Sequence, residues 1–139
     1  MTRDVETVAP DASLQQAASA MEAMGVGSLP VCDGRRLVGA ITDRDIVVRG
    51  VAAGLSPVDG LVADCMTSDV AYAFADEEAD EVLERMKVRQ IRRLAVLDRD
   101  KSLIGIVALG DIATEPRAAA LGSVGAAVAE ISEPSRPRK

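Results

Sequence analysis

The chain has 139 residues, of which 48% are hydrophobic and 27% are charged, and its formal net charge is −6. A chain of this length and composition can bury a hydrophobic core, which excludes a mainly disordered protein. It contains no histidine, so the commonest general base and metal ligand is missing, and the negative charge argues against nucleic acid as a partner.

The sequence contains no signal peptide and no apolar run long enough to cross a bilayer, so we expect a cytoplasmic protein without a membrane partner. Its two cysteines, Cys32 and Cys65, are too far apart for a CxxC motif, and two thiols alone cannot complete a zinc site. We therefore expect no metal, no cofactor and two cysteines that fill the core, with a redox-switch disulfide as the alternative.

Two copies of one unit follow each other along the chain. Met1-Thr2-Arg3-Asp4-Val5 matches Met66-Thr67-Ser68-Asp69-Val70 at four of five positions, an offset of 66 − 1 = 65. One extra residue in the second copy changes the offset to 66, where Leu37-Val38-Gly39 aligns with Leu103-Ile104-Gly105. Matches spread over every element indicate a duplicated supersecondary unit.

The first copy begins with a short extended piece at Glu6-Thr7-Val8. Ser13, followed three residues later by Gln16, predicts a capped helix start, and apolar residues continue from it at helical spacing. A hairpin with Asp33-Gly34 in its turn comes next. Because Pro30 cannot donate a hydrogen bond, we expect its strand to lie at an edge of the sheet.

The second copy repeats this order: an extended piece over 70–73, a helix starting near Glu78, and a hairpin with a longer turn over 98–101. The acidic run Asp76-Glu77-Glu78 is interpreted as a helix start and a solvated face. Each copy closes with a helix, which begins near Asp43 or near Gly110.

Four segments are predicted from this organisation: a first unit at 1–54, a linker at 55–65, a second unit at 66–115, and a tail at 116–139. In the tail we expect an alanine-rich helix capped by Thr114, with flexible residues from Pro134 onwards.

The candidate functional residues lie where the strand Leu37-Val38-Gly39-Ala40-Ile41 meets a helix. Thr42 and Asp45, three residues apart, have the pattern of a capping box. A strand that runs directly into a helix is expected to present unpaired N–H groups, which favour phosphate, and Asp45 can accept bonds from two vicinal hydroxyls. Phosphate beside a diol suggests a nucleotide; the alternative is that Thr42 and Asp45 only cap the helix.

A β-α-β-β-α unit in tandem, with Met-Thr at the entry and Gly-x-x-Thr-x-x-Asp at the strand-to-helix boundary, resembles a CBS-domain pair, or Bateman module. The resemblance spans about residues 1–115 and is greatest to small stand-alone bacterial members of the hypoxic-response type. It implies an α+β fold of two pseudo-twofold-related units packed sheet to sheet. It also implies two clefts, each able to hold AMP, ADP, ATP or S-adenosylmethionine.

Carried onto this sequence, the resemblance gives the phosphate contact to Thr42 and the ribose contacts to Asp45 and Asp111. The second copy departs from the pattern, because the threonine position holds Ala108. Unequal sites are therefore expected. The first is the better phosphate site, and the second either takes a ligand without phosphate or stays empty.

Four further residues are considered around the candidate site. Arg93, with Arg92 beside it, stands where the family often carries a basic residue that reaches phosphate; the alternative is a solvated strand end. Arg44 inside the motif and Ile41 just before it complete the candidate ligand-binding set.

The leading functional hypothesis is a regulatory module that binds an adenine nucleotide, forms a homodimer and signals through a partner protein of unknown identity. The alternative is a ligand-free dimerisation or interaction module. We expect no enzymatic activity, because the sequence offers no nucleophile–base pair, no metal cluster and no histidine.

Overall fold

The structure is a computed structural model and describes residues 6–108. Helices and strands are interspersed, so the predicted α+β class is confirmed. The chain divides into two compact units, of which the first is Glu6–Val70 and the second begins at Ala71. The elements in chain order are α1 (Leu14–Met24), β1 (Ser28–Asp33), β2 (Arg36–Thr42), α2 (Asp43–Asp45), a π-helix (Ile46–Val51), α3 (Val62–Cys65), β3 (Tyr72–Phe74), α4 (Ala79–Arg89), β4 (Arg93–Leu97) and β5 (Leu103–Ala108).

In the first unit, β1 and β2 form the predicted antiparallel hairpin. Asp33 pairs with Arg36, so the turn consists of Gly34 and Arg35. Gly34 has a φ of 66°, a conformation that glycine adopts without steric cost. The register places Ser28 opposite Thr42, at the end of the hairpin away from this turn.

Pro30 lies in β1 of a two-stranded sheet, in which each strand is an edge, as predicted, and a single bridge covers part of that edge. Val8 forms a parallel bridge with Val31 on the side of β1 away from β2. This bridge uses the Pro30 carbonyl, which accepts from Val8 N at 3.1 Å, and the Cys32 N–H, which donates to Val8 O at 2.9 Å. Proline fits here because the bridge needs no donor from it.

Helix α1 begins as predicted. The Ser13 hydroxyl accepts from Gln16 N at 3.0 Å, and the Gln16 side chain accepts from Ser13 N at 2.8 Å. The helix ends at Gly25, whose φ of 67° is typical of a left-handed C-cap. Its buried face, Leu14, Ala17 and Met21, packs into the core of the first unit, whose other buried members are Val8, Leu29, Val31, Ile41, Val62 and Cys65.

Residues 55–65, expected to be a linker, contribute to this core. Val62 and Cys65 of α3 are completely buried. Backbone bonds attach the segment to the start of α1: Leu14 N donates to Gly60 O at 3.0 Å, and Val62 N donates to Ala12 O at 2.8 Å. The segment therefore belongs physically to the first unit, since its apolar side chains are part of that unit's core.

The second unit has a three-stranded sheet in the order β3-β4-β5, with β3 parallel to β4 and β4 antiparallel to β5. Helix α4 follows Glu78, as predicted, and ends at Gln90 in the left-handed conformation. The turn between β4 and β5 is longer than that of the first hairpin, also as predicted. The core consists of Ala73, Ala79, Val82, Met86, Leu94, Val96 and Val107.

The acidic run before α4 is more than the solvated face that the sequence suggests. Asp76 forms a bidentate pair with Arg99, with distances of 2.8 and 2.7 Å. Glu77 pairs with Arg85 and accepts from Phe74 N at 2.8 Å. Burial favours a higher pKa for Glu77, but the bonds from Arg85 and Phe74 outweigh it and hold the pKa below its ordinary value.

Several sequence predictions fall outside the described residues: the Met-Thr entry of the first copy, Gly110, Asp111, the Thr114-capped helix and the tail. Within 6–108, no helix is long and apolar enough to span a membrane.

Candidate functional site

The candidate site of the first unit is the boundary between β2 and α2, residues 41–45, which we call the first junction. Thr42 is extended, with a φ of −112° and a ψ of 163°, and is the N-cap of α2. Its Oγ1 accepts from Asp45 N at 3.0 Å, while Asp45 Oδ2 accepts from Thr42 N, also at 3.0 Å. The predicted capping box is therefore present, and both residues have a structural role.

The capping box leaves part of each side chain available. A hydroxyl has one donor hydrogen besides its acceptor lone pairs, and Thr42 uses Oγ1 here only as an acceptor. Asp45 uses Oδ2, so Oδ1 remains as a second acceptor. Both residues are half-buried. The capping box thus does not use the O–H hydrogen of Thr42 or Oδ1 of Asp45, a pair that suits an anionic group next to a hydroxyl.

The expectation of unpaired amides at this helix start is wrong. Asp43 N donates to Gly27 O at 2.9 Å, and Arg44 N donates to Asp43 Oδ1 at 2.8 Å. Asp45 N is taken by the Thr42 hydroxyl. The Gly27 carbonyl and the Asp43 carboxylate accept hydrogen bonds from these amides. The Thr42 hydroxyl is therefore a better candidate for a phosphate contact than the backbone amides.

The first turn of α2 contains charges of both signs. Asp43 and Asp45 both lie at the positive end of the helix dipole, which they complement and partly neutralise. Arg44 lies between them, and its side chain is exposed to solvent. Ile41, in contrast, is completely buried, so any contact it makes with a ligand uses its backbone.

Helix α2 continues directly as the π-helix Ile46–Val51. Ala52 N donates to Val47 O at 2.9 Å and Leu55 N to Gly50 O at 3.0 Å, both with the five-residue spacing of a π-helix. A Cβ at Gly50 would lie 3.0 Å from Leu14 Cδ1, so glycine lets this helix pack closely against α1. Such π-helical segments occur frequently at functional sites.

The end of β5, which we call the second junction, has the same position in the second unit. The β4–β5 register places Arg93 opposite Ala108, as β1–β2 places Ser28 opposite Thr42. An arginine beside an alanine thus replaces the two hydroxyls of the first junction. Asp111 lies outside the described residues, and the roles of Arg93 and Arg92, both exposed, stay predictions.

Sequence reasoning missed Ser28 and Gly27 as parts of the first junction. The two-residue turn at Gly34-Arg35 alone would place Ser28 opposite Ile41. An irregularity between Val31 and Cys32 shifts the register by one residue, so that Ser28 faces Thr42, and no local sequence pattern marks this shift. The Gly27 carbonyl had no local signal, since its bond to Asp43 joins the two far ends of the hairpin.

Both cysteines are buried and free in the structure. Burial raises the pKa of the Cys32 thiol. The pKa of Cys65 is raised by burial and, less strongly, by the charges of Asp64 and Asp45, and Arg49 offsets part of this increase. Protonated, enclosed thiols are poor nucleophiles and poor metal ligands. In the part of the chain that the structure describes, no three His, Cys, Asp or Glu side chains form a group able to hold a metal ion.

Comparison with known proteins gives the family of this chain. The family model for the CBS domain matches residues 1–50 and 62–117. The CBS domain-containing protein YhcV of Bacillus subtilis is 37% identical over 134 residues, which are 95% of this chain and 91% of that protein. Hypoxic response protein 1 of Mycobacterium tuberculosis is 38% identical over 114 residues, 81% of this chain and 79% of that protein.

Solved structures show the same relationship. The crystal structure of Hypoxic Response Protein I, which has two coordinated zinc ions, has a TM-score of 0.70 at 37% identity and covers 83% of this chain and 93% of its own. The structure of CBSX2 in complex with AMP has a TM-score of 0.67 at 25% identity, covering 82% and 90%. With two segments matched by the family model and relatives of similar length, this chain belongs to the CBS-domain family as a tandem pair.

Proposed function

We propose that this protein is a regulatory module that binds an adenosine nucleotide at the first junction and signals through a partner protein. The observation that carries the proposal is the Thr42–Asp45 capping box, which leaves a hydroxyl donor and a carboxylate oxygen free for a ligand. The CBS family supports the ligand class, since CBSX2 has AMP bound. In this assignment Thr42 contacts phosphate and Asp45 accepts from the ribose hydroxyls.

The remaining candidates have supporting roles in the proposal. Exposed Arg44 provides a cation beside the phosphate position and offsets the charges of Asp43 and Asp45. Ile41 contributes backbone only. Asp111 and Arg93 form the corresponding ligand contacts of the second unit, where the missing hydroxyl at Ala108 makes the junction a weaker phosphate site than the first.

Regulation follows from differential affinity. A ligand shifts a conformational equilibrium only by the difference between its affinities for the two states, so occupancy must favour one arrangement of the protein over another. We propose that a partner protein reads this arrangement, that the protein is a cytoplasmic homodimer, and that it catalyses no reaction. Stand-alone CBS-domain proteins are regulatory and mostly not enzymes.

Calorimetric titration with AMP, ADP, ATP and S-adenosylmethionine tests the proposal. We expect saturable heat from at least one compound, lost in Asp45→Asn, which preserves the side-chain size and removes the charge. Thr42→Ser retains the hydroxyl and should bind as the wild type does. No heat from any of the four compounds would exclude the nucleotide-sensing function.

A ligand-free interaction module is the second candidate, and two observations favour it. The first-turn amides are already bonded, and the π-helix exposes Val47, Val48 and Val51, a surface that suits contact with another chain. Thermal denaturation separates the two functions. A ligand at a hundred times its dissociation constant stabilises the native state by about 2.7 kcal/mol, whereas an interaction module shows no shift with any nucleotide.

A further inference from the structure

We propose that Arg49 is a positioning residue that couples the first junction to residues 65–67, where the chain is about to leave the first unit. The coupling itself is a property of the unit without ligand. Its use by a nucleotide rests on the function proposed above.

The contact that carries the proposal runs from the π-helix to the end of α3. Arg49 Nη1 donates to Cys65 O at 3.3 Å and to Met66 O at 3.4 Å. Arg49 lies only four residues after Asp45 on the continuous helix that starts at the first junction. A guanidinium bonded to two successive carbonyls fixes their distance from the helix, and bonds this long weaken with small displacements.

The next residue returns the chain to the strand that leads into the junction. Thr67 N donates to Ala40 O at 2.8 Å, and Ala40 N donates to Thr67 O at 2.9 Å. The approach is so close that a Cβ at Gly39 would lie 2.6 Å from Thr67 O. Residues 66–67 are therefore held against β2 just two residues before Thr42.

These contacts form a closed circuit within the first unit. It runs from Ala40 through Thr42 and the junction helix to Arg49, crosses to Met66, and returns from Thr67 to Ala40. Cys65, whose carbonyl accepts from Arg49, is itself completely buried. The charges of both Asp45 and Arg49 act on the Cys65 thiol, in agreement with their lying on the same side of the helix. A displacement at the helix start must therefore move Arg49 or break its bonds to the carbonyls.

The ligand-free test is a double-mutant cycle read by amide hydrogen exchange. Thr42→Val removes the capping hydroxyl, and Arg49→Met removes the guanidinium. The probe is Thr67 N–H, measured relative to Cys32 N–H, which reports on the core of the same unit. We expect Thr42→Val to speed exchange at Thr67 by about tenfold relative to Cys32 when Arg49 is present, and to have little such effect in the Arg49→Met background.

Two further variants separate coupling from general destabilisation. Arg35→Met removes the same charge from the hairpin turn, outside the circuit, and should leave the Thr42→Val effect unchanged. Arg49→Lys retains a cation without the planar fork and should give an intermediate effect, which also guards against a methionine variant that fails to fold. If Thr42→Val speeds exchange at Thr67 equally in the wild type and in Arg49→Met, the proposed coupling is wrong.

The arm with ligand uses AMP. In the wild type, AMP should slow exchange at Thr67; in Arg49→Met it should still bind, with heat in calorimetry, but leave Thr67 exchange unchanged. Slowing of Thr67 that persists in Arg49→Met would contradict the positioning role. If AMP gives no heat with the wild type, the AMP-binding proposal fails, whereas the cycle without ligand still decides the role of Arg49.

Discussion

The two junctions have the same backbone position and different chemistry. Each lies at the end of the second strand of a hairpin, in the same register with the strand before it. The first brings together the hydroxyls of Ser28 and Thr42, whereas the second brings together Arg93 and Ala108. Duplication has preserved the backbone frame of the two junctions, and their side chains have diverged. Equal folds therefore do not predict equal ligands.

The largest expected effect is on the first junction. Asp45→Ala should weaken nucleotide binding there by about 100-fold, because a charged acceptor of the ribose hydroxyls is lost. Asp43→Ala removes the same charge from the same turn. It should instead raise phosphate affinity a few-fold, because Asp43 no longer neutralises the positive end of the helix dipole. Calorimetry with the best of the four ligands checks both. Equal losses in the two variants would contradict a specific contact of Asp45 with the ribose hydroxyls.

A packing change tests whether residues 66–67 pack against β2 just before the first junction. Gly39→Ala should lower the free energy of unfolding by about 2 kcal/mol, since its methyl group would meet the Thr67 carbonyl, a backbone atom that cannot swing away. In Gly27→Ala the nearest atom, 3.1 Å from the new methyl group, belongs to the exposed side chain of Asp43. In urea denaturation, this control should lower the free energy of unfolding by less than half as much. A Gly39→Ala protein as stable as the control would show that the bridge to Thr67 is not formed in solution.

The second junction can be made to resemble the first. Ala108→Thr introduces the missing hydroxyl and should strengthen nucleotide binding in the second unit by about fivefold, the contribution of one additional hydrogen bond. Ala108→Val has the same shape without the hydroxyl and should give no gain. The measurement is calorimetry in the Asp45→Asn background, where binding at the first junction is removed. A gain in both variants would indicate a packing effect.

The smallest effect concerns the second unit alone. The pKa of Glu77 is held below its ordinary value of 4.5, so its pairing with Arg85 stabilises the fold fully above that pH and is lost as the pH falls through the lowered value. The wild type should therefore exceed Glu77→Gln in unfolding free energy by up to about 1 kcal/mol at neutral pH. The difference should vanish in acid. A difference independent of pH would contradict this origin.

Local patterns in the sequence were sufficient for the helix starts. Ser13 with Gln16, and Thr42 with Asp45, form the capping boxes that their spacing predicts, because each needs only residues within one turn. The repeat also predicted the order of helix and hairpin that both units show within residues 6–108.

The incorrect predictions involved partners distant in sequence. No local pattern distinguishes Val62 as a core residue from a residue of a linker, because the core that it joins is built from residues distant in sequence, such as Leu14 and Val31. The helix start was expected to have unpaired amides, yet Gly27, on the other strand's side of the hairpin, accepts from Asp43.

Nucleotide binding at the first junction is tested most directly by titrating the ¹⁵N-labelled protein with AMP and following its amide chemical shifts. We expect saturable shifts at Thr42, Arg44 and Asp45, at lower AMP concentrations than any shift at Arg93 or Ala108. Shifts confined to Arg93 and Ala108, or no saturable shift at the first junction with AMP, ADP, ATP or S-adenosylmethionine, would contradict it.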